Sequence, residues 1–208
     1  MYVDLTMEVG PATPVYPGSP APAVLQWSRY DVHGYYSNVL FMPEHVGTHV
    51  DAPAHFVPGG RTVDQIEAGR FFGRFVALDF SGLPPRGEVG LREFERALPR
   101  GVELGPGWFV LFRTGYHAGV ERWLDHPDIS PELAEHLAKL GVYGVGTDAP
   151  SPDHPPFEVH RILLAREVLI FENLANLGAV VGKTGQFVAL PLKVAGGSGA
   201  PVRAVALV

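Results

Sequence analysis

The segment His45-Val-Gly-Thr-His49-Val-Asp51-Ala-Pro-Ala-His55 limits what this chain can fold into more than any other stretch. It places three of the nine histidines and one carboxylate within eleven residues, at offsets of four, two and four. Even offsets point side chains to one face of an extended backbone. A helix would also align positions 45 and 49, but Gly47, Thr48, Val50 and Pro53 are poor helix-interior residues. The segment therefore predicts a strand or loop, bent at Gly47 and stopped at Pro53. A straight strand, rising about 3.3 Å per residue, would hold the backbones of His45 and His49 on the order of 13 Å apart. Imidazoles that share an ion need bonds of about 2.0–2.1 Å. Glycine at 47 permits the backbone angles that fold His45 back toward His49. His49 and Asp51 already share a face. Two imidazoles and a carboxylate suit zinc, and less specifically manganese or iron. A loop with a few solvated histidines is the alternative, and it leaves the convergence of four ligand-type residues unexplained.

The rest of the chain narrows the chemistry. With no cysteine among 208 residues, disulfides, thiolate zinc sites and thiol catalysis are excluded, so any metal rests on His and carboxylates. A formal charge of −6 without a Lys/Arg cluster argues against nucleic acid or an anionic membrane as partner. No apolar run approaches the ~20 residues of a membrane span. Met1-Tyr-Val-Asp-Leu-Thr lacks the order of a secretory signal, so the expectation is a cytoplasmic protein. The length predicts one domain, residues 1–208, with a substantial core.

Residues 2–6, 24–30, 36–42, 75–80, 108–112, 142–145, 168–171, 183–194 and 201–207 read as strands, with Asp31–Gly34 a turn between the second and third. Thr62–Ile66 reads as a short helix capped by Thr62. Leu91, Phe94 and Leu98 share one helical face. Ser130–Leu140 has Ser130 as N-cap, Pro131 at the first position and Gly141 beyond the end. Residues 157–166 read as a helix carrying His160, and Glu172 ends the following strand. Gly196-Gly-Ser-Gly199 is a tight loop without the Lys-Ser/Thr of a phosphate loop. His117 and His126 read as surface-loop residues without a role, and His136 as solvated. Arg113 is expected to pair with an acidic neighbour, and Asp148 and Ser151 to serve turn chemistry.

The His45–His55 segment resembles the H-x-G-T-H-x-D-A-P-x-H signature of the cyclase family of metal-dependent hydrolases, which includes kynurenine formamidases and isatin hydrolases. The resemblance implies His45, His49 and Asp51 as metal ligands and His55 as general acid/base. It extends to Pro14-Val-Tyr16-Pro-Gly18, similar to a pocket-lining segment in which formamidases carry Trp, and so implies Tyr16 as a substrate-binding wall. Arg113-Thr-Gly115 and the turn Gly146-Thr-Asp148-Ala-Pro-Ser151-Pro-Asp153 also match. The family completes its site with a His and, twelve residues on, a Glu, which here are His160 and Glu172. Five ligands exceed the three of a single catalytic zinc, and two bridging carboxylates imply two divalent ions, zinc first and manganese second. The implied fold is an α/β domain with a mixed, barrel-like sheet and flanking helices, of the swivelling β/β/α type, as a homodimer or higher homo-oligomer. The implied reaction is hydrolysis of a small aryl formamide such as N-formylkynurenine. A cyclic-amide or ester hydrolase, favoured by Tyr16, and a non-catalytic metal-binding protein are the alternatives.

Overall fold

The computed structural model describes residues 1–116 and 124–208; His117 lies outside them. Its main sheet is built from β1 (Tyr2–Asp4), β4 (His49–Asp51), β5 (Phe72–Asp79), β7 (Trp108–Arg113), β9 (Gly144–Thr147), β10 (Leu169–Glu172), β11 (Thr184–Pro191) and β12 (Gly199–Leu207). The strand order is β1-β12-β11-β5-β7-β9-β10-β4, and β4 pairs back onto β12, so that among the described residues seven strands close a ring. β12 makes the closure by its length. Its last residues pair with β1 and its first three with β4 (Gly199 with Asp51, Pro201 with His49).

β5, β7, β9 and β10 run parallel. Parallel strands covered on both faces read as continuous apolar runs, which is why Phe75–Leu78 and Phe109–Phe112 carry no polar residue. Alternation then sorts them. Phe75, Ala77, Phe109, Leu111 and Phe171 point into the ring, where they pack with Val50 and Phe187. Val76, Leu78, Val110, Phe112 and Ile170 point outward. These outward residues pack against Phe94 of α2 (Leu91–Ala97), Leu133 and Leu137 of α3 (Pro131–Leu140), and Val159 and Leu163 of α4 (Glu158–Ala165). Full burial of such side chains is worth about 1.5–3 kcal/mol each, which holds the ring together without cross-links. β9 meets the crowded interior with glycine: a Cβ on Gly144 would lie 2.9 Å from the Leu169 carbonyl oxygen and 3.0 Å from the Phe171 ring.

The sequence-derived elements are present with boundaries displaced by a few residues. Ser130 caps α3 by accepting from Leu133 N, and Gly141 ends it at φ 71°. The turn expected at Asp31–Gly34 is a single helical turn, α1 (Tyr30–His33), closed by Gly34 in the left-handed region. It joins β2 (Ala23–Ser28) to β3 (Ser37–Phe41), and among the described residues this hairpin pairs only with itself. The short helix after Thr62 is a 3-10 turn, Val63–Gln65. β6 (Glu88–Val89) and β8 (Asp128–Ile129) form a small parallel pair beside the helices.

Candidate metal centre

β4 sits between β10 and β12, and this places His49, Asp51 and Glu172 side by side. His49 opposes Glu172 in register. The bend before β4 is at Gly47, with φ 60° and a Cβ position only 2.9 Å from Val9 Cγ2, so glycine is required there on both counts. The bend aims the Gly47 carbonyl at His49 Nδ1, 2.8 Å away. That carbonyl also accepts from Asn173 Nδ2, just beyond Glu172. His160, on the first turn of α4, points its Nδ1 at Asp153 Oδ1 at 2.5 Å. Each ring therefore has one nitrogen engaged behind it and presents Nε2 to the same point.

Four distances define that point. His49 Nε2 lies 3.4 Å from Asp51 Oδ1 and 3.3 Å from Glu172 Oε2. His160 Nε2 lies 3.5 Å from Asp51 Oδ2 and 3.3 Å from Glu172 Oε1. His49 Nε2 and Asp51 Oδ2 are buried without any hydrogen-bond partner. Two ligand bonds of about 2.0–2.1 Å meeting near the tetrahedral angle span about 3.3–3.4 Å. The spacing thus fits two imidazoles and two carboxylates around a divalent cation.

The electrostatics agree. Burial alone would lower the His49 pKa, but the pull of Asp51 and Glu172 overrides it and raises the imidazole to about 10. His160, against the same desolvation, is held well above its ordinary value by Asp153, Asp51 and Glu172. Burial would raise Asp51, yet the neighbouring histidines, His45 first, hold it well below the usual carboxylate range. The cluster demands positive charge, which protons or a metal ion can provide.

His45 occupies a different place. Its Nδ1 is hydrogen-bonded to Asp51 Oδ1 at 2.7 Å and its Nε2 to Ser198 Oγ at 2.8 Å. His55 stacks on it with ring centroids 3.9 Å apart. His45, Asp51 and His55 together offer a second trio of ligand atoms within 4.8 Å of one another, sharing Asp51 with the first group. His55 stands at the mouth, partly open to solvent. Partial desolvation lowers its pKa, Asp51 and Glu172 oppose this, and His45 and His160 add to it.

His45, His49, His55, His160 and Glu172 floor a cavity of about 260 Å³ whose walls include Tyr16, Phe56, Phe157 and Pro150, with Asp51 buried beneath them. Phe56 packs on His160, with centroids 4.5 Å apart. The six residues expected from sequence to hold metal or move a proton are thus brought together, and Tyr16 joins them across the cavity. Several contributors were not anticipated. Asp153 behind His160 lies in a turn whose motif was read only for Asp148 and Ser151, and its spacing of seven to His160 is the one sequence hint of the pairing. Ser151 bonds to the Asp153 carbonyl within its turn, as expected, whereas Asp148 accepts from Thr114 N and Gly115 N, 34 and 33 residues away, and so ties the turn to the end of β7. Arg113 pairs with Asp79 at 2.9 Å, as expected.

His126 is a correction. The Asp-His-Pro context reads as surface loop, but His126 is buried and stacked on His154 at 3.9 Å, with the planes 10° apart. The long-range partner that buries it leaves no local pattern. His154 Nδ1 is in direct contact with Asp128 Oδ1 at 2.5 Å, and its Nε2 faces the Leu124 carbonyl at 2.8 Å. His126, Asp128 and His154 thus offer a further trio of ligand-type atoms within 4.8 Å of one another, away from the central cluster. His136 is half-buried, edge-on to Phe94.

Among curated proteins, the chain is 32% identical to the kynurenine formamidase of Salinibacter ruber (strain DSM 13855 / M31), over 98% of this chain and 95% of that one. It is 29% identical to the kynurenine formamidase of Bacillus anthracis, over 98% and 96%. Among solved structures, isatin hydrolase A from Labrenzia aggregata, bound to benzyl benzoate, superposes with a TM-score of 0.90 at 28% identity, covering 100% of this chain and 93% of that one. A potential metal-dependent hydrolase with cyclase activity gives 0.77 at 25% identity, covering 99% and 96%. The family model described as putative cyclase matches residues 3–154, a span that takes in the bend at Gly47, strand β4 with His49 and Asp51, and Asp153. By that match and by likeness along nearly its whole length, the chain belongs to the putative cyclase family.

Proposed function

We propose that this chain is a metal-dependent hydrolase of carbon–nitrogen amide bonds, acting first on an aryl formamide of the N-formylkynurenine kind. The observation that carries the reading is the set of His49, Asp51, His160 and Glu172 atoms spaced at 3.3–3.5 Å on the floor of an aromatic-walled cavity. These four residues would hold one divalent ion, zinc by preference and manganese as the alternative. His45 and Asp51 would hold a second. When bound, the ions supply Lewis acidity, which polarises a carbonyl and makes water a nucleophile near neutral pH. The chain's own residues do the rest. Tyr16, Phe56 and Phe157 orient an aryl group and keep water from its faces. His55, with its pKa lowered, is neutral at pH 7 and so accepts a proton from the nucleophile and returns it to the leaving nitrogen.

A second reading, hydrolysis of a cyclic amide on the same residues, draws on the isatin hydrolase likeness and on Tyr16 in the cavity wall. The protein would work as a homodimer. In support, the isolated β2–β3 hairpin exposes Leu25, Trp27, Leu40 and Phe41 at 58–71%, whereas two-stranded hairpins are marginal in water without a packing partner. Among the described residues no helix is long and apolar enough to cross a membrane.

The test is elemental analysis of purified protein together with hydrolysis of N-formylkynurenine and of isatin on the same sample. About two divalent ions per chain, with formamide turnover lost on chelation and restored by metal, is the expected result. Turnover of isatin alone moves the substrate to the second reading. Metal without turnover of either supports a binding protein, and failure to take up metal at all refutes the proposal.

A further inference from the structure

The loop 196–199 closes directly over His45. Ser198 Oγ lies 2.8 Å from His45 Nε2 and 2.8 Å from Glu44 Oε2, and Ser198 N donates to the same carboxylate oxygen at 2.9 Å. The approach is tight enough to require the flanking glycines. A Cβ on Gly199 would lie 2.6 Å from His45 Cε1 and 2.5 Å from the Val50 carbonyl oxygen, and one on Gly197 would lie 3.0 Å from Glu44 Oε1. The loop is also pinned from outside. Gly196 N donates to Asp64, Val63 N donates to the Gly197 carbonyl, and Ala52 N donates to the Ser198 carbonyl. Ser198 is thus held in place by backbone bonds that do not depend on its hydroxyl.

The direction of the hydrogen bonds follows from chemistry. An ionised carboxylate only accepts, so the single Ser198 hydroxyl proton goes to Glu44. The Ser198 oxygen is then left to accept, and the donor has to be His45 Nε2–H. This fixes Nε2 as a proton-bearing donor; Nδ1 donates to Asp51 in the absence of a cation, and a cation that displaces that proton meets the Nδ1 lone pair. Without Ser198 and Glu44 the preference reverses. Asp51, 2.7 Å from Nδ1, would draw the proton onto that atom and leave the lone pair on Nε2, facing away from the centre.

We propose that Glu44 and Ser198 are positioning residues that hold His45 as its Nε2–H tautomer and so present Nδ1 to the second metal ion. The assignment rests on the two-ion reading above. It makes His45 the exception among the three imidazoles, since His49 and His160 are engaged at Nδ1 and present Nε2. It also gives a role to a glycine-rich loop that carries none of the features of a phosphate site.

The test combines two measurements on the whole protein. Calorimetric titration of the metal-free protein with Mn²⁺ reads the affinity of each equivalent. Long-range ¹H–¹⁵N correlation spectra, with His45 identified by its loss in His45→Gln, read the tautomer at pH 8. Wild type is expected to bind two equivalents and to show a protonated Nε2. Ser198→Ala is expected to weaken the second equivalent about 10- to 100-fold, leave the first unchanged and show an unprotonated Nε2. Ser198→Thr, which keeps the hydroxyl, restores both readings. Glu44→Gln, which keeps an accepting oxygen, stays within a few-fold of wild type, whereas Glu44→Ala behaves like Ser198→Ala. Two unaltered equivalents in Ser198→Ala, or an unprotonated Nε2 in wild type, overturn the assignment and leave the two-ion reading intact. A single equivalent in wild type overturns both.

Discussion

Replacing Asp153 with asparagine tests how much of the metal affinity is set behind the ligands. Asp153 is buried, at 5% exposure, and both carboxylate oxygens are used. One accepts from His160 Nδ1 at 2.5 Å and the other from Val159 N at 2.7 Å. Asparagine has the same shape but only one accepting oxygen. If that oxygen serves Val159, the amide NH₂ faces His160 and forces its Nδ1 to accept, which moves the ring proton to the metal-facing Nε2. If it serves His160, the Val159 N–H faces an NH₂ and is left unsatisfied. Either outcome costs about 1–3 kcal/mol. In the first outcome the cost falls on the metal-loaded state, about a 5- to 150-fold loss of affinity, since 1.4 kcal/mol is about tenfold; in the second it falls on the fold with or without metal and appears as a lower Tm. Zn²⁺ titration of metal-free wild type and Asp153→Asn, with melting curves of both in chelator to separate affinity from stability, makes the measurement. Affinity within twofold of wild type together with an unchanged melting curve would refute the reasoning, because it would mean that neither the tautomer of His160 nor the Val159 N–H depends on Asp153.

His55→Ala should lower kcat by about 10²- to 10⁴-fold while elemental analysis still finds the ion of the His49–His160 cluster; loss of that ion would make His55 a structural member of the centre. In wild type, the acid limb of kcat/KM should fall below pH 6.5, because the lowered His55 pKa keeps its basic form populated at lower pH. His126, pushed down to about 4 chiefly by burial, makes stability depend on pH. Between pH 6.5 and about 4 the unfolded chain takes up a proton that the native state refuses, so stability is full above 6.5 and falls with pH, by at most about 3 kcal/mol. Urea unfolding at pH 7 and pH 5 should show this slope flattened in His126→Phe, and an unchanged slope would assign the effect to other groups. Gly144→Ala, whose added methyl meets the Leu169 carbonyl and the Phe109 and Phe171 rings, should lower stability by about 1–3 kcal/mol, read as a fall in Tm.

What could be read in the sequence followed the range of the interactions. The bend at Gly47, the strand carrying His49 and Asp51, and the caps of α3 are local, and residue spacing and type were enough to place them. His160 and Glu172 were identifiable only by resemblance, since alone each is an ordinary helix or strand-end residue. The contacts that hold the ligands in position were not legible. Ser198 meets His45 across 153 positions, and Thr48 meets Asn173 across 125. His126 was misjudged for the same reason, because its burial depends on a ring 28 residues away. Val, Leu and Trp marked β2 and β3 as strands, but nothing in their pattern indicated that the hairpin would stand apart from the main sheet.

The position of β4 between β10 and β12 also has a consequence for biogenesis. The strand bearing His49 and Asp51 has no neighbour from its own half of the chain; both of its partners are made more than a hundred residues later. On a ribosome the histidine-rich segment therefore emerges long before the strands that shape it, with ordering entropy against it until they arrive. During that interval its imidazoles are free to capture any divalent ion loosely. The spacing of His49 and Asp51 against Glu172 can be fixed only once β10 and the closing strand β12 have been made.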